Sequence, residues 1–461
     1  MGRYVLRCVS VLLVAGSATI TSVAGQSGYS GASAARTRAM ARVGVIPAPS
    51  EISVTEFLNY HKHQLPKPRA GEAVALDLRW RRHAGSRAVL QLGFTTVEVN
   101  DRAHLPPLNV CLVIDKSGSM SSGDKMGRVV EGLQAMAARL RPSDTVSVVT
   151  YDNNARVVLA AERVGNGRSL RRAIRSLSSG GSTNLHRGLM LGYREVRKHF
   201  DPEATNRVIL LTDGIANEGV TDPEKIVSDS GRFNESGIDL STIGVGYTTN
   251  QELLKQLAES GRGLHHFIAD DAEIRKVFVD ELQSLVAPVA RDAEVEISWP
   301  ASLLVDEVYG AKVRHDTQSM RFSLNDMNHG LTQVVLVEFS MDEDTDRTDF
   351  PVDVAFRYTE VDRDKRVRVK RELSLPRRVS GDDHEVRKNW TIARLAQGIR
   401  DLARAAEYGD WTRAERIGRR AIRSAERDYP TGDDEDIARV MDILKKYRRV
   451  AASRDDWQQR P

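Results

Sequence analysis

Two cysteines in 461 residues are too few for a disulfide framework. Cys8 falls in a segment that reads as a removable leader, so Cys111 is the only cysteine expected in the mature chain and an intrachain disulfide is excluded. Cys111 lies inside an apolar run, where burial keeps a thiol inert and argues against a nucleophile. Long hydrophobic runs are missing too. The apolar stretch Val9–Ala18 is shorter than the roughly 20 residues a membrane helix needs, and no later segment reaches that length, so no integral span is expected. Charge of one sign is scarce: 67 Lys and Arg stand against 63 Asp and Glu, and a net charge of +4 gives no argument for nucleic acid. There is no Gly-x-x-x-x-Gly-Lys phosphate loop, and no Gly-x-Gly-x-x-Gly follows a strand pattern.

The N-terminus does carry the marks of an export signal. Arg3 and Arg7 form a basic start, Val9–Ala18 is the short apolar core, and Ser22-Val23-Ala24 offers small residues for cleavage. Residues 1–24 are therefore expected to be a signal peptide, with an uncleaved anchor as the alternative. Export without disulfides points to a bacterial periplasm or cell envelope. Residues 25–49, rich in Gly, Ser, Ala and Arg and lacking periodicity through Arg42, read as a flexible tether.

The most informative segment is Asp115-Lys116-Ser117-Gly118-Ser119, directly after the apolar run Leu108–Ile114. A β-branched apolar run ending in a carboxylate and two hydroxyls reads as a buried parallel strand that delivers ligands to its carboxyl end. Open α/β sheets bind at that end. Gly180-Gly181-Ser182-Thr183-Asn184 adds a hydroxyl in a loop just before a helical pattern. Arg207–Thr212 is a second buried strand, ending in Asp213-Gly214. Asp115, Ser117, Ser119, Thr183 and Asp213 offer two carboxylates and three neutral hard oxygens, a set suited to Mg²⁺, with positions left for water or a partner.

In order and spacing these five residues resemble the metal-ion-dependent adhesion site of a von Willebrand factor type A domain. The resemblance covers residues 50–290 or so, because Phe57-Leu58-Asn59-Tyr60 and the strand patterns after it are similar to an N-terminal extension found before such domains in bacterial envelope proteins. It implies that Asp115, Ser117, Ser119 and Thr183 surround Mg²⁺ (or Mn²⁺ or Ca²⁺), with Asp213 ligating directly or through water. An acidic residue of a protein partner would complete the shell. Some proteins of this architecture are lipoproteins; Cys8 is too early and in the wrong context for lipid attachment.

The patterns along the chain fit that organisation. Ala73–Leu78 and Ala88–Phe94 read as strands in an N-terminal β extension spanning 50–106. Alternating strands and helices over 107–290 argue for a doubly wound, mostly parallel α/β sheet, closed by a helix over Glu273–Val289. From 291 to 380 the period changes to two, with Val295, Ile297, Trp299 and Met320, Phe322, Leu324 as examples, and Leu331–Phe339 reads as a strand buried on both faces. The shortage of strands before residue 107 predicts one sandwich built from both flanks, with the α/β domain inserted. Residues 381–455 read as helices resembling a repeat-like hairpin array. Arg413, Arg416, Arg419, Arg420, Arg423 and Arg427 make them basic, as a solvated face or a contact for an acidic surface.

A hydrolase that uses the same cation to activate water is the alternative to adhesion. It needs a positioned base. His186 is the one histidine close in sequence to the metal loops, and it starts a helix; His265-His266 lies on a strand and reads as packing. Lys116 flanks the site and would favour an anionic partner. Asn217 and Glu218 either shape its rim or serve a turn. The expectation is a non-enzymatic binding protein.

Overall fold

A computed structural model describes residues 31–83, 87–98, 105–247, 249–268, 277–278, 288–324, 326–341, 349–376, 383–430 and 433–458. The leader expected over residues 1–24 lies outside them. The tether reading of residues 25–49 is overturned from Ala32 onward. Helix α1 (Ala32–Arg42) buries Ala32, Ala35 and Ala39 against Phe267, and its Arg36 bonds the Tyr247 carbonyl and pairs with Glu51 at 3.0 Å. The Tyr447 hydroxyl donates to the Thr37 carbonyl at 2.6 Å. A composition of Ala, Gly and Arg looks like a linker because it lacks large apolar residues. Here the small side chains let the helix backbone approach closely, and the guanidinium nitrogens of Arg36 reach the Tyr247 carbonyl and Glu51.

Helix α2 (Val54–Leu58) follows, capped by Ser53. The antiparallel pair β1 (Val74–His83) and β2 (Arg87–Thr96) then leads into the α/β domain. That domain contains β3 (Leu108–Asp115), α3 (Lys125–Ala137), β4 (Thr145–Tyr151), β5 (Ala155–Arg163), α4 (Arg168–Arg175), α5 (Leu185–Lys198), β6 (Thr205–Thr212), α6 (Pro223–Glu235), β7 (Asp239–Val245), α7 (Gln251–Ser260) and β8 (Arg262–Ile268). The sheet order is β5-β4-β3-β6-β7-β8, parallel except for edge strand β5. Leu112 and Ile114 pack with α3 and α4 on one face, and Cys111 and Val113 with α5 and α7 on the other. The chain winds one way from β3 to β4 and the other way through β6, so the carboxyl ends of β3 and β6 flank the crevice where such sheets bind ligands. The helix expected over Glu273–Val289 lies mostly outside the described residues. Its end is corrected: Pro288 already starts β9 (Pro288–Ser298), because Val289 and Ala290 face the sandwich core.

After β9 come β10 (Leu303–Tyr309), β11 (Arg314–His315), β12 (Ser319–Ser323), β13 (Met327–Asn328), β14 (Thr332–Met341), β15 (Asp349–Glu360) and β16 (Lys365–Pro376). One sheet runs β1-β2-β14-β10 and the other β11-β12-β9-β15-β16, so strands from both sides of the α/β domain share a sheet. Leu90, Leu92 and Phe94 meet Val295, Ile297 and Phe356 between the sheets, with Phe94 and Phe356 ring centres 5.1 Å apart.

Helices α8 (His384–Glu407), α9 (Trp411–Asp428) and α10 (Glu435–Gln458) cover the outer face of β2 and β14, where Val89, Val334 and Leu336 pack with Trp390, Phe57 and Leu58. Burial on two faces explains the near-continuous apolar run of β14, whereas β15 alternates because one of its faces meets solvent. Arg416, Arg419, Arg420, Arg423 and Arg427 line a cleft on α9, with Arg419 paired to Glu415. Among the described residues no helix is long and apolar enough to cross a membrane.

Candidate metal centre

Asp115 ends β3 and is fully buried. Its Oδ1 accepts the Ser117 N–H at 2.8 Å and its Oδ2 accepts the Thr212 hydroxyl at 2.7 Å. Ser117 Oγ lies 3.0 Å from Ser119 Oγ, and the Ser119 hydroxyl donates to Asp213 Oδ1 at 2.7 Å. Asp213, the residue after β6, is also fully buried. Adjacent parallel strands deliver these two carboxylates to the same edge, and the turn after β3 folds the two serines between them.

Thr183 arrives from the third loop. That loop is pinned to the Asp115 loop by two backbone bonds, Gly118 N–H to Gly181 O at 2.9 Å and Gly180 N–H to Lys116 O at 2.5 Å. Gly181 has φ 95°, and a Cβ there would lie 2.7 Å from Asn153 Oδ1 and 2.8 Å from the Asp152 Cβ, so this approach requires glycine. Asn217 holds Thr183 from the other side, its Oδ1 accepting the Thr183 N–H at 2.9 Å and its own backbone N–H donating to the Thr183 carbonyl at 3.2 Å. A Cβ on Gly214 would sit 3.5 Å from Thr183 Oγ1 and 3.9 Å from Ser119 Oγ, so those hydroxyls border the same small space. All five predicted residues therefore lie in one neighbourhood.

The chemistry of this donor set fits a divalent cation. Burial pushes the Asp115 carboxyl above its ordinary range, against the pull of the Ser117 and Thr212 hydrogen bonds, and the Asp213 carboxylate adds to the rise. Two buried carboxylates with interleaved hydroxyls form a site that a hard cation would relieve.

Sequence reasoning missed Lys125. It starts α3 and donates to Asp213 Oδ2 at 2.5 Å with its side chain mostly buried. Its only signal was a lysine at a helix start, where a positive charge is unfavourable and calls for a reason. Thr212, which orients Asp115, was also missed. Lys116 pairs with Asp152 at 2.5 Å at the rim, and Glu218 bonds Asn153. His186 Nε2 lies 3.0 Å from Asp229 on α6. His265 is buried between Thr242 and Gln251, and burial, with His266 nearby, pushes it down to about 3.

With this geometry in place, comparison with known proteins decides the domain. Residues 109–281 match the model of the von Willebrand factor type A domain. Those residues form a von Willebrand factor type A domain. The chain is 30% identical over 278 residues to the uncharacterized protein YfbK of Escherichia coli (strain K12), covering 58% of this chain and 48% of that one. It is 28% identical over 208 residues to inter-alpha-trypsin inhibitor heavy chain H3 of Mesocricetus auratus, covering 43% of this chain and 23% of that protein. The chain thus spans less than half the length of either relative. A solved structure, the von Willebrand factor type A protein from Catenulispora acidiphila, aligns with TM-score 0.51 at 16% identity over 78% of this chain and 88% of that one, a likeness of fold.

Proposed function

We propose that the A domain binds Mg²⁺ (or Mn²⁺ or Ca²⁺) through Asp115, Ser117, Ser119, Thr183 and Asp213, and that the cation recruits an acidic residue of a protein partner. The convergence of these five oxygen-bearing side chains at the switch point between β3 and β6 carries the reading. Only two of the five donors carry charge, so an ion held by them keeps the capacity to take an incoming Asp or Glu at an open position. Binding is favoured over catalysis because a hydrolase needs a base at the metal, and the one histidine close in sequence to the metal loops, His186, turns its Nε2 to Asp229 on α6. The basic and apolar character of residues 1–24 supports export, and with it an adhesion or scaffold role in the periplasm or cell envelope.

The test measures Mn²⁺ binding by electron paramagnetic resonance and Mg²⁺-dependent capture of envelope proteins, for wild type and Asp115→Ala. Wild type binds the ion and captures partners in a way EDTA reverses, and Asp115→Ala does neither. Capture that ignores EDTA, or that persists in Asp115→Ala, leaves the cation without a role in recognition.

A further inference from the structure

A second polar cluster lies about the junction of the N-terminal extension, the sandwich and α8. His61, His63 and Glu385 each offer a ligand atom, and these atoms all lie within 4.8 Å of one another. The hydrogen bonds around them fix the tautomers. Asn59 donates through Nδ2 to the Thr55 and Val334 carbonyls and accepts the Val334 N–H at Oδ1, 2.7 Å away, so its amide orientation is set. His63 Nε2 lies 3.1 Å from that same Oδ1 and must therefore be the donor. On α8, Asn389 donates through Nδ2 to Gln91 Oε1 and Glu385 Oε1, so its Oδ1 accepts from His61 Nε2, 3.1 Å away. Each histidine thus gives its Nε2–H to an asparagine oxygen, which leaves Nδ1 as the free ring nitrogen.

For His63 the consequence is sharp. Its side chain is fully buried, its Nδ1 has no hydrogen-bond partner, and Glu385 Oε1 stands 3.6 Å away. A lone pair facing a buried carboxylate is repulsive unless a cation sits between them. Histidines that donate their second N–H to a fixed oxygen are oriented as metal ligands are. Glu385 Oε1 is held by the Gln64 N–H at 3.2 Å, so the three candidate ligands are positioned before any ion arrives.

We propose that His61, His63 and Glu385 form a second cation site, for Zn²⁺ or a similar borderline divalent metal, that clamps residues 59–64 onto α8. Two imidazoles and a carboxylate suit Zn²⁺ better than Mg²⁺, and three protein ligands leave a fourth position open. The site is independent of the oxygen cluster in the A domain.

The experiment titrates chelator-treated full-length chain with Zn²⁺ by calorimetry in excess Mg²⁺, and with Co²⁺ by absorption, whose ligand-field bands report nitrogen ligation. Wild type and Asp115→Ala should each bind one Zn²⁺, and His61→Gln should bind at least roughly 10-fold more weakly, since even supporting groups of metal sites are worth about 10–100-fold. Glu385→Gln, nearly isosteric, carries the test if His61→Gln fails to fold. A proton on His63 Nδ1 would meet the same electrostatic need. In that case wild type takes up no Zn²⁺, and the proposal is overturned. Unchanged affinity in a folded His61→Gln or Glu385→Gln overturns it as well.

Discussion

The oxygen cluster at the ends of β3 and β6 and the histidine–glutamate cluster beneath α8 are assembled by different routes. In the first, four donors sit at a strand end or in the loop beyond it and Thr183 in the loop between α4 and α5, and the longest hydrogen-bonded step among the five, Ser119 to Asp213, spans 94 positions. In the second, His61 and its support Asn389 are 328 positions apart and belong to a loop and a helix. The first offers hydroxyls and carboxylates at a sheet edge where a partner can approach. The second offers imidazoles, one fully buried, where no large partner can enter. Hard donors at an edge suit recognition through Mg²⁺, and buried nitrogen donors between elements suit a structural ion.

The largest expected effect breaks the first cluster and leaves the second intact. Asp115→Ala removes a charged ligand, and Mg²⁺-dependent capture should fall below detection, while Asp213→Ala should lose less if that residue ligates through water. In EDTA the order reverses for stability. Burial makes the Asp115 carboxylate costly without a counter-ion, so Asp115→Asn should melt no lower than wild type in thermal unfolding. A clear drop in melting temperature in EDTA would mean that the carboxylate stabilises the fold directly.

Next in size is Asn59→Ala, which strikes the second cluster through its support. Strand β10 pairs with β14 only as far as Leu336, and beyond it the Asn59 side chain takes the place of a neighbouring strand by bonding both backbone groups of Val334. Alanine leaves those two buried groups unpaired, a cost of about 2–6 kcal/mol at roughly 1–3 kcal/mol per group. Urea unfolding should report that loss, and Zn²⁺ affinity should fall because His63 loses its orienting acceptor. Mg²⁺ binding should not change. Loss of Mg²⁺ binding would show that the two clusters are coupled.

The contrast also explains what was readable in the chain. Four of the five oxygen donors stood out because buried strands announce their own ends: Leu108–Ile114 and Arg207–Thr212 are apolar runs, and the first polar residues after them fall at the sheet edge, whereas Thr183 showed only as a hydroxyl in a glycine-rich loop before a helical pattern. The run Leu331–Phe339 was equally open, since burial on two faces suppresses alternation. His61, His63 and Glu385 gave no signal, because nothing local in either segment specifies that α8 returns to the extension. Helix α1 was misread for a related reason. Its alanines at 32, 35 and 39 are too small to draw a strong apolar stripe, and besides Glu51 it is fixed by Phe267, Tyr247 and Tyr447, each more than 200 positions away. Lys125 escaped because its partner, Asp213, is 88 positions distant.

The smallest expected effect concerns that lysine. Its ammonium bonds Asp213 Oδ2 while Ser119 bonds Oδ1, so both oxygens of this candidate ligand are engaged by the protein itself. A divalent ion that takes Asp213 as a direct ligand must displace Lys125 or share the carboxylate with it, and either lowers the gain on binding. Lys125→Met keeps the length and most of the packing volume and removes the charge. Exposed ion pairs are worth about 0.2–1 kcal/mol, and this one is mostly buried on both sides, so a gain of about 3- to 10-fold in Mn²⁺ affinity, roughly 0.7–1.4 kcal/mol, is expected. Zn²⁺ binding at His61, His63 and Glu385 should stay as in wild type. A fall in Mn²⁺ affinity would invert the argument: Lys125 would then serve to hold Asp213 in place for the ion, and the lysine would belong to the site as its support.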